Sequence, residues 1–159
     1  PYLSRGLGDV YKRQPLAWII ITNSDHIRDA VALAAATGAK IAAPAAEQGH
    51  PELAADAWLA DGDVLVEGLQ AVALSGSKTP GELALLLDGT TLITGDLVRA
   101  HRAGSLMILP DAKLTDRGAA VASVKRLAAL PGIEAVLVGD GWPIFRGGGK
   151  ALRELADSL

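Results

Sequence analysis

Four short polar segments each follow directly on a brief apolar run. Thr22-Asn23-Ser24-Asp25-His26 follows Leu16–Ile21, and Ser77-Lys78-Thr79-Pro80-Gly81-Glu82 follows Leu69–Leu74. Thr94-Gly95-Asp96 ends the run that begins at Thr91, and Gly139-Asp140-Gly141 follows Ala135–Val138. A run of four to eight apolar residues bounded by turn formers reads as a buried strand. In layered α/β folds the loops leaving the carboxyl ends of strands gather at one edge and build the site. The chain therefore carries its chemistry in four loops with the means to converge.

The rest of the pattern supports a layered fold. Thr22, Asn23 or Ser24 can cap a helix, Asp25 suits its first turn, Ile27, Val31 and Ala34 give it an apolar stripe, and Gly38 stops it. Lys40–Ala43 reads as a second strand, and the Ala-rich stretch from Pro44 to Asp61 has room for a short helix after Pro51. Val64–Val66, Leu69–Leu74, Leu83–Leu87 and Thr91–Thr94 read as strands, with Asp88-Gly89 as a hairpin turn. Asp116–Leu130 is an amphipathic helix on Val121, Val124 and Leu127, ended by Pro131-Gly132. Ala135–Val138 is a further strand, and Lys150–Leu159 a closing helix. Strand-helix-strand, then antiparallel strands, then helix-strand-helix predicts an α/β sandwich.

Composition narrows the function. A chain of 159 residues suffices for one domain with a core. The net charge of −3, with both signs interspersed, argues against a nucleic-acid footprint or a basic membrane-binding face. No cysteine is present, which excludes disulfides and thiolate metal sites and fits a cytoplasmic location. The longest apolar run, Ala30–Ala36, is too short to span a bilayer. Gly147-Gly148-Gly149-Lys150 fails as a phosphate loop, because Ile144 replaces the required first glycine and Ala151 follows the lysine. It reads as a flexible lead-in to the last helix. His50, and His101 within the basic Arg99–Arg102 loop, read as solvated.

Residues 1–14 behave differently. Ser4–Gln14 is polar and aperiodic, and its Asp-Val-Tyr-Lys-Arg-Gln ending resembles the in-frame translation of a sequencing adapter. Residues 1–14 are therefore read as a non-native leader and 15–159 as a partial domain that has lost its true beginning.

In their order between strands and helices, the four loops resemble the metal-binding loops of the metallo-β-lactamase fold family. The resemblance implies an αββα sandwich with its N-terminal strands missing. The family's Thr-His-x-His-x-Asp-His is Thr22-Asn23-Ser24-Asp25-His26 here, two residues short, with Asn23 standing for the leading histidines. Lys78 takes the ligand position before Thr-Pro-Gly. Thr94-Gly95-Asp96 keeps the family's bridging aspartate, and Asp140 replaces the histidine of Gly-His-Gly. Zinc needs imidazole, thiolate or carboxylate ligands, and a protonated lysine has no lone pair to offer. The expectation is a degenerate member with the dinuclear zinc site largely lost. It would bind a small molecule with no cofactor and little or no catalysis. The ammonium of Lys78 would take over the metal's electrostatic role beside Asp96, Asp140 or Asp25. Asn23, Asp25, His26, Lys78, Asp96 and Asp140 are the vestigial site. The alternative is a divergent hydrolase of an ester, thioester or phosphoester. It would hold Zn, Mn or Fe on Asp25, His26, Asp96 and Asp140. Each of these residues also has a plain role open to it: Asp25 on the helix dipole, Asp96 capping amides, Asp140 as turn chemistry, His26 bonded to a loop.

Overall fold

The computed structural model describes residues 15–159. The leader read at 1–14 lies outside the described residues. The first layer is a three-stranded parallel sheet in the order β1 (Trp18–Ile20), β2 (Lys40–Pro44), β3 (Ala57–Leu59), with α1 (Ala30–Thr37) crossing between β1 and β2. The second sheet has the order β10 (Ala135–Leu137), β7 (Thr91–Ile93), β6 (Glu82–Leu87), β5 (Leu69–Leu74), β4 (Val64–Val66). A separate hairpin joins β8 (Val98–Arg102) to β9 (Ser105–Ile108), and two helices follow, α2 (Arg117–Ala128) and α3 (Gly148–Asp157).

The period-two alternation of strands assigns side chains to layers. Ile19, Ile21, Ile41 and Ala43 point to one side of the first sheet, where Ala30, Ile27 and Ala34 cover them. Ile20 and Ala42 point to the other side and meet Ala71, Leu83, Leu85 and Ile93 of the second sheet. The alternate residues Val72, Leu74, Ala84 and Leu92 face outward onto Ala120, Val124 and Leu127 of α2 and Leu152 and Leu155 of α3. The result is helix, sheet, sheet, helix, an αββα sandwich. Asp116 caps α2 by accepting from the Ala119 amide at 3.0 Å, and the buried faces of α2 and α3 repeat at three and four residues. No helix among the described residues is long and apolar enough to cross a membrane.

Four local expectations need correction. The helix placed after Pro51 is a turn followed by β3, because Asp56 completes the ladder: its amide donates to the Ile41 carbonyl and its carboxylate accepts from the Ile41 amide, each at 2.8 Å. The first helix starts at Ala30, after a short 3-10 turn at Ser24–His26, and Val31 lies exposed, outside the stripe. The polar segment Arg99–Arg102 is part of strand β8. The glycine run is a close-packed helix start: a Cβ on Gly148 would stand 2.8 Å from the Val136 side chain and 3.0 Å from the Glu134 carbonyl oxygen. Only glycine lets α3 approach β10 so closely.

Candidate functional site

The four loops meet at the carboxyl ends of β1, β5, β7 and β10. Local bonds shape three of the loops. Asn23 is extended, and its side-chain oxygen accepts from the Asp25 amide at 3.0 Å, which starts the 3-10 turn that aims His26 inward. Thr79 bonds forward to the Gly81 carbonyl at 2.9 Å, and Thr94 to the Val98 carbonyl at 2.9 Å. The Leu83 amide donates to the Thr22 carbonyl at 2.8 Å, tying the two sheets together beside the site.

Asp96 is the centre. Its carboxylate accepts from Lys78 Nζ at 2.9 Å, from His26 Nε2 at 2.7 and 2.8 Å, and from Asn23 Nδ2 at 3.1 Å. Lys78 Nζ also reaches Asp25 Oδ2 at 3.0 Å, so one ammonium sits between two carboxylates. Burial alone would raise the Asp96 pKa, but the bonds from Lys78, His26 and Asn23 hold it below the usual carboxylate range. For Lys78, burial pulls downward, and the bonds and charges of Asp96 and Asp25 more than offset it, leaving the ammonium stabilised. Arg28 Nη2 lies 3.1 Å from His26 Nδ1. A guanidinium only donates, so Nδ1 is the acceptor and Nε2 carries the hydrogen given to Asp96. Both ring nitrogens are thereby engaged.

Asp140 does not join this group, although the loop pattern placed it there. Its Oδ2 lies 2.6 Å from Arg99 Nη2 and 2.8 Å from His101 Nε2. The reason is backbone pairing: the Ala100 amide donates to the Asp140 carbonyl at 3.0 Å and the Trp142 amide to the Ala100 carbonyl at 2.7 Å, which lays Asp140 along β8. Gly141 is obligatory there, at φ 116 and with a Cβ position blocked by the Ala100 backbone. The hydrogen bond from His101 is the main cause that holds the Asp140 pKa down, with the Arg99 charge adding to it. His101, read as solvated, is a half-exposed partner of Asp140.

Two buried acids escaped the sequence reading as site residues. Glu82 is 1% exposed, accepts from Ser77 Oγ at 2.6 Å and from the Leu97 amide at 2.8 Å, and so braces the loops carrying Lys78 and Asp96. Burial raises its pKa, opposed by those two bonds and reinforced by the Asp96 charge. Glu47 accepts from the Gly81 amide at 3.2 Å and the Ser24 amide at 3.4 Å, bracing the Lys78 loop against the loop at 22–26. An acid opening the apolar run 83–87 was a visible signal for Glu82; Glu47, alone in an Ala-rich stretch, gave none.

A cavity of about 560 Å³ opens over the cluster, lined by His26, Arg28, Lys78, Asp96, Arg99 and Lys113 among others. The sequence matches the metallo-beta-lactamase superfamily over residues 10–159. The chain belongs to that family. A curated relative, the hydroxyacylglutathione hydrolase of Rhodobacter capsulatus, is 38% identical over 125 residues, covering 76% of this chain and 46% of the relative. The chain thus spans under half of that protein's length. Among solved structures, the protein TTHA1623 in a di-iron-bound form superposes with a TM-score of 0.68 at 23% identity, covering 98% of this chain and 85% of that one. A metallo-beta-lactamase from Erythrobacter litoralis gives 0.63 at 18%, covering 92% and 65%. These two likenesses establish the shared fold.

The metal that the metallo-beta-lactamase family implies does not fit the donors as they stand. Among the described residues, no three histidine or acidic side chains are grouped as a metal site needs. Asn23 and Lys78 supply donors in place of lone pairs, both His26 nitrogens are taken, and Asp140 is turned toward Arg99 and His101.

Proposed function

We propose that this is a degenerate member of the superfamily, with the dinuclear metal site largely lost, acting as a non-catalytic or weakly active small-molecule binder. One observation carries the reading: the Lys78 ammonium lies 2.9 Å from Asp96 and 3.0 Å from Asp25, where a positive charge must offset two carboxylates. Carboxylates facing each other without such a charge would be costly. Asn23, Asp25, His26, Lys78 and Asp96 form the remnant of the site; Asp140 belongs to its rim. A cytoplasmic protein without nucleic-acid or membrane partners completes the proposal.

A second reading has one observation in its favour, the 38% identity to a protein named as a hydrolase. It is a divergent hydrolase of an ester, thioester or phosphoester, using Zn, Mn or Fe on Asp25, His26, Asp96 and Asp140. It requires Arg28 to release His26 and Asp140 to leave Arg99. The test is hydrolysis of thioester, ester and phosphoester probes by the chain produced with added zinc, iron or manganese. The first reading expects no hydrolysis that a chelator abolishes. Chelator-sensitive turnover, lost in His26→Ala, establishes the second.

A further inference from the structure

The charges around the cavity do not balance. Arg28, Lys78, Arg99 and Lys113 line it, against Asp96 and Asp140. Adding Asp25, which holds Lys78 from outside the lining, still leaves an excess of positive charge. The excess is localised. Lys78 is matched by Asp25 and Asp96, and Arg99 by Asp140, whereas Arg28 and Lys113 have no ion-pair partner among the described residues. Cations of one sign at the wall of a concave site focus the field and attract anions.

Arg28 adds a second, independent observation. It is a non-glycine residue at φ 44, a left-handed conformation that the surrounding structure must hold. That conformation lets its guanidinium both reach His26 Nδ1 and line the cavity. Four of its five N–H groups remain for a ligand, since the bond to His26 takes one. A guanidinium binds carboxylate or phosphate in a fork, and an ammonium such as Lys113 adds a point charge. The volume of about 560 Å³ is in the usual range for a small-molecule site, and Ile20 and Leu109 supply a small apolar wall.

We infer that this cavity binds a small organic anion carrying a carboxylate or phosphate group, with Arg28 and Lys113 as its charge partners. The inference rests on the reading that the Lys78 ammonium, and no metal, occupies the centre of the site. The ligand then meets side-chain cations in place of a Lewis acid.

The test titrates the whole chain, with and without the uncharged chelator 1,10-phenanthroline, with inorganic phosphate, with succinate, and with 1,4-butanediol as an uncharged control. Ionic strength is held constant with chloride, and binding is read by calorimetry and by the shift in melting temperature. Saturable binding of phosphate or succinate, absent for the diol, is expected, and the stronger of the two tells which anionic group the site prefers. Arg28→Gln/Lys113→Gln should weaken it by about tenfold or more, Lys113→Gln alone by several-fold, and Lys125→Gln, outside the lining, not at all. Lys113→Gln is an exposed change, so its result stands even if the double variant folds poorly. Equal binding by the variants, or no saturation, overturns the inference while leaving the proposed function intact. Binding that the chelator abolishes overturns it in the other way, since a metal would then hold the anion and the proposed function would fail with it.

Discussion

Replacing Lys78 with methionine removes the charge while keeping an unbranched stem of similar length. The ammonium of Lys78 makes two charged hydrogen bonds, to Asp96 at 2.9 Å and Asp25 at 3.0 Å. A hydrogen bond to a charged group contributes roughly 1.5–3 kcal/mol when sheltered. Asp96 is sheltered, with 14% of its side chain exposed, whereas Asp25 is half-exposed and its bond counts for little. Asp96 would keep the His26 and Asn23 donors. The expected loss is about 2 kcal/mol near pH 7, or about 4–8 °C in melting temperature for a domain of this size. The pH dependence follows from Asp96. Its folded pKa is depressed, so its ionised form stabilises the fold above the unfolded value, and that contribution is lost as pH falls through the folded value. The gap between wild type and Lys78→Met should therefore be full above about pH 5 and shrink below about pH 4. Urea melts across that range read it directly. A variant as stable as wild type at pH 7, or a gap that does not close in acid, refutes the idea that this cation holds the loops together.

Other outcomes follow from the same geometry. Glu82 has a raised pKa, so its protonated form favours the fold and stability from this group declines as pH rises from its unfolded value, about 4.3, through the folded one. Glu82→Gln should gain stability relative to wild type on going from pH 4 to pH 7 in urea melts, and a constant difference would contradict this. Gly141→Ala forces a side chain into the Ala100 backbone at φ 116 and should cost about 3 kcal/mol or more, with the chain recovered largely unfolded or insoluble. Asp140→Asn should lower the melting temperature only slightly, and far less than Lys78→Met, because the Asp140 pairs with Arg99 and His101 are solvent-exposed and lie apart from Lys78.

The sequence made the layers legible wherever burial on both faces wrote a continuous apolar run. Ile19-Ile20-Ile21 and Leu83-Ala84-Leu85 are such runs, each feeding two clusters by turns. It concealed β8 and β9, where only Val98, Ala100 and Leu106 are buried, Ile108 is half-buried and the remaining positions are polar or exposed. It concealed β3 because alanine is a helix former and a single aspartate, Asp56, decides the pairing. At the site, the segments 22–26, 78–81 and 94–96 were readable as loops because each follows a strand. The partner of Asp140 was not, since it depends on how β8 lies against residues 140–142. An acid at the head of the run 83–87 marked Glu82 but not its partners Ser77 and the Leu97 amide, and nothing in the chain marked Glu47, which acts through the Gly81 and Ser24 amides.

The central proposal is a side-chain cation in the place of bound ions. Elemental analysis of the chain, purified after growth with added zinc, iron and manganese and compared with Lys78→His, addresses it most directly. With the Lys78 ammonium at the centre of the site, the wild-type chain should hold far less than one ion, and the variant, which trades an ammonium for a ligand, should hold more metal. One or more ions per wild-type chain, released together with a fall in stability when Asp96 is changed to alanine, would contradict it.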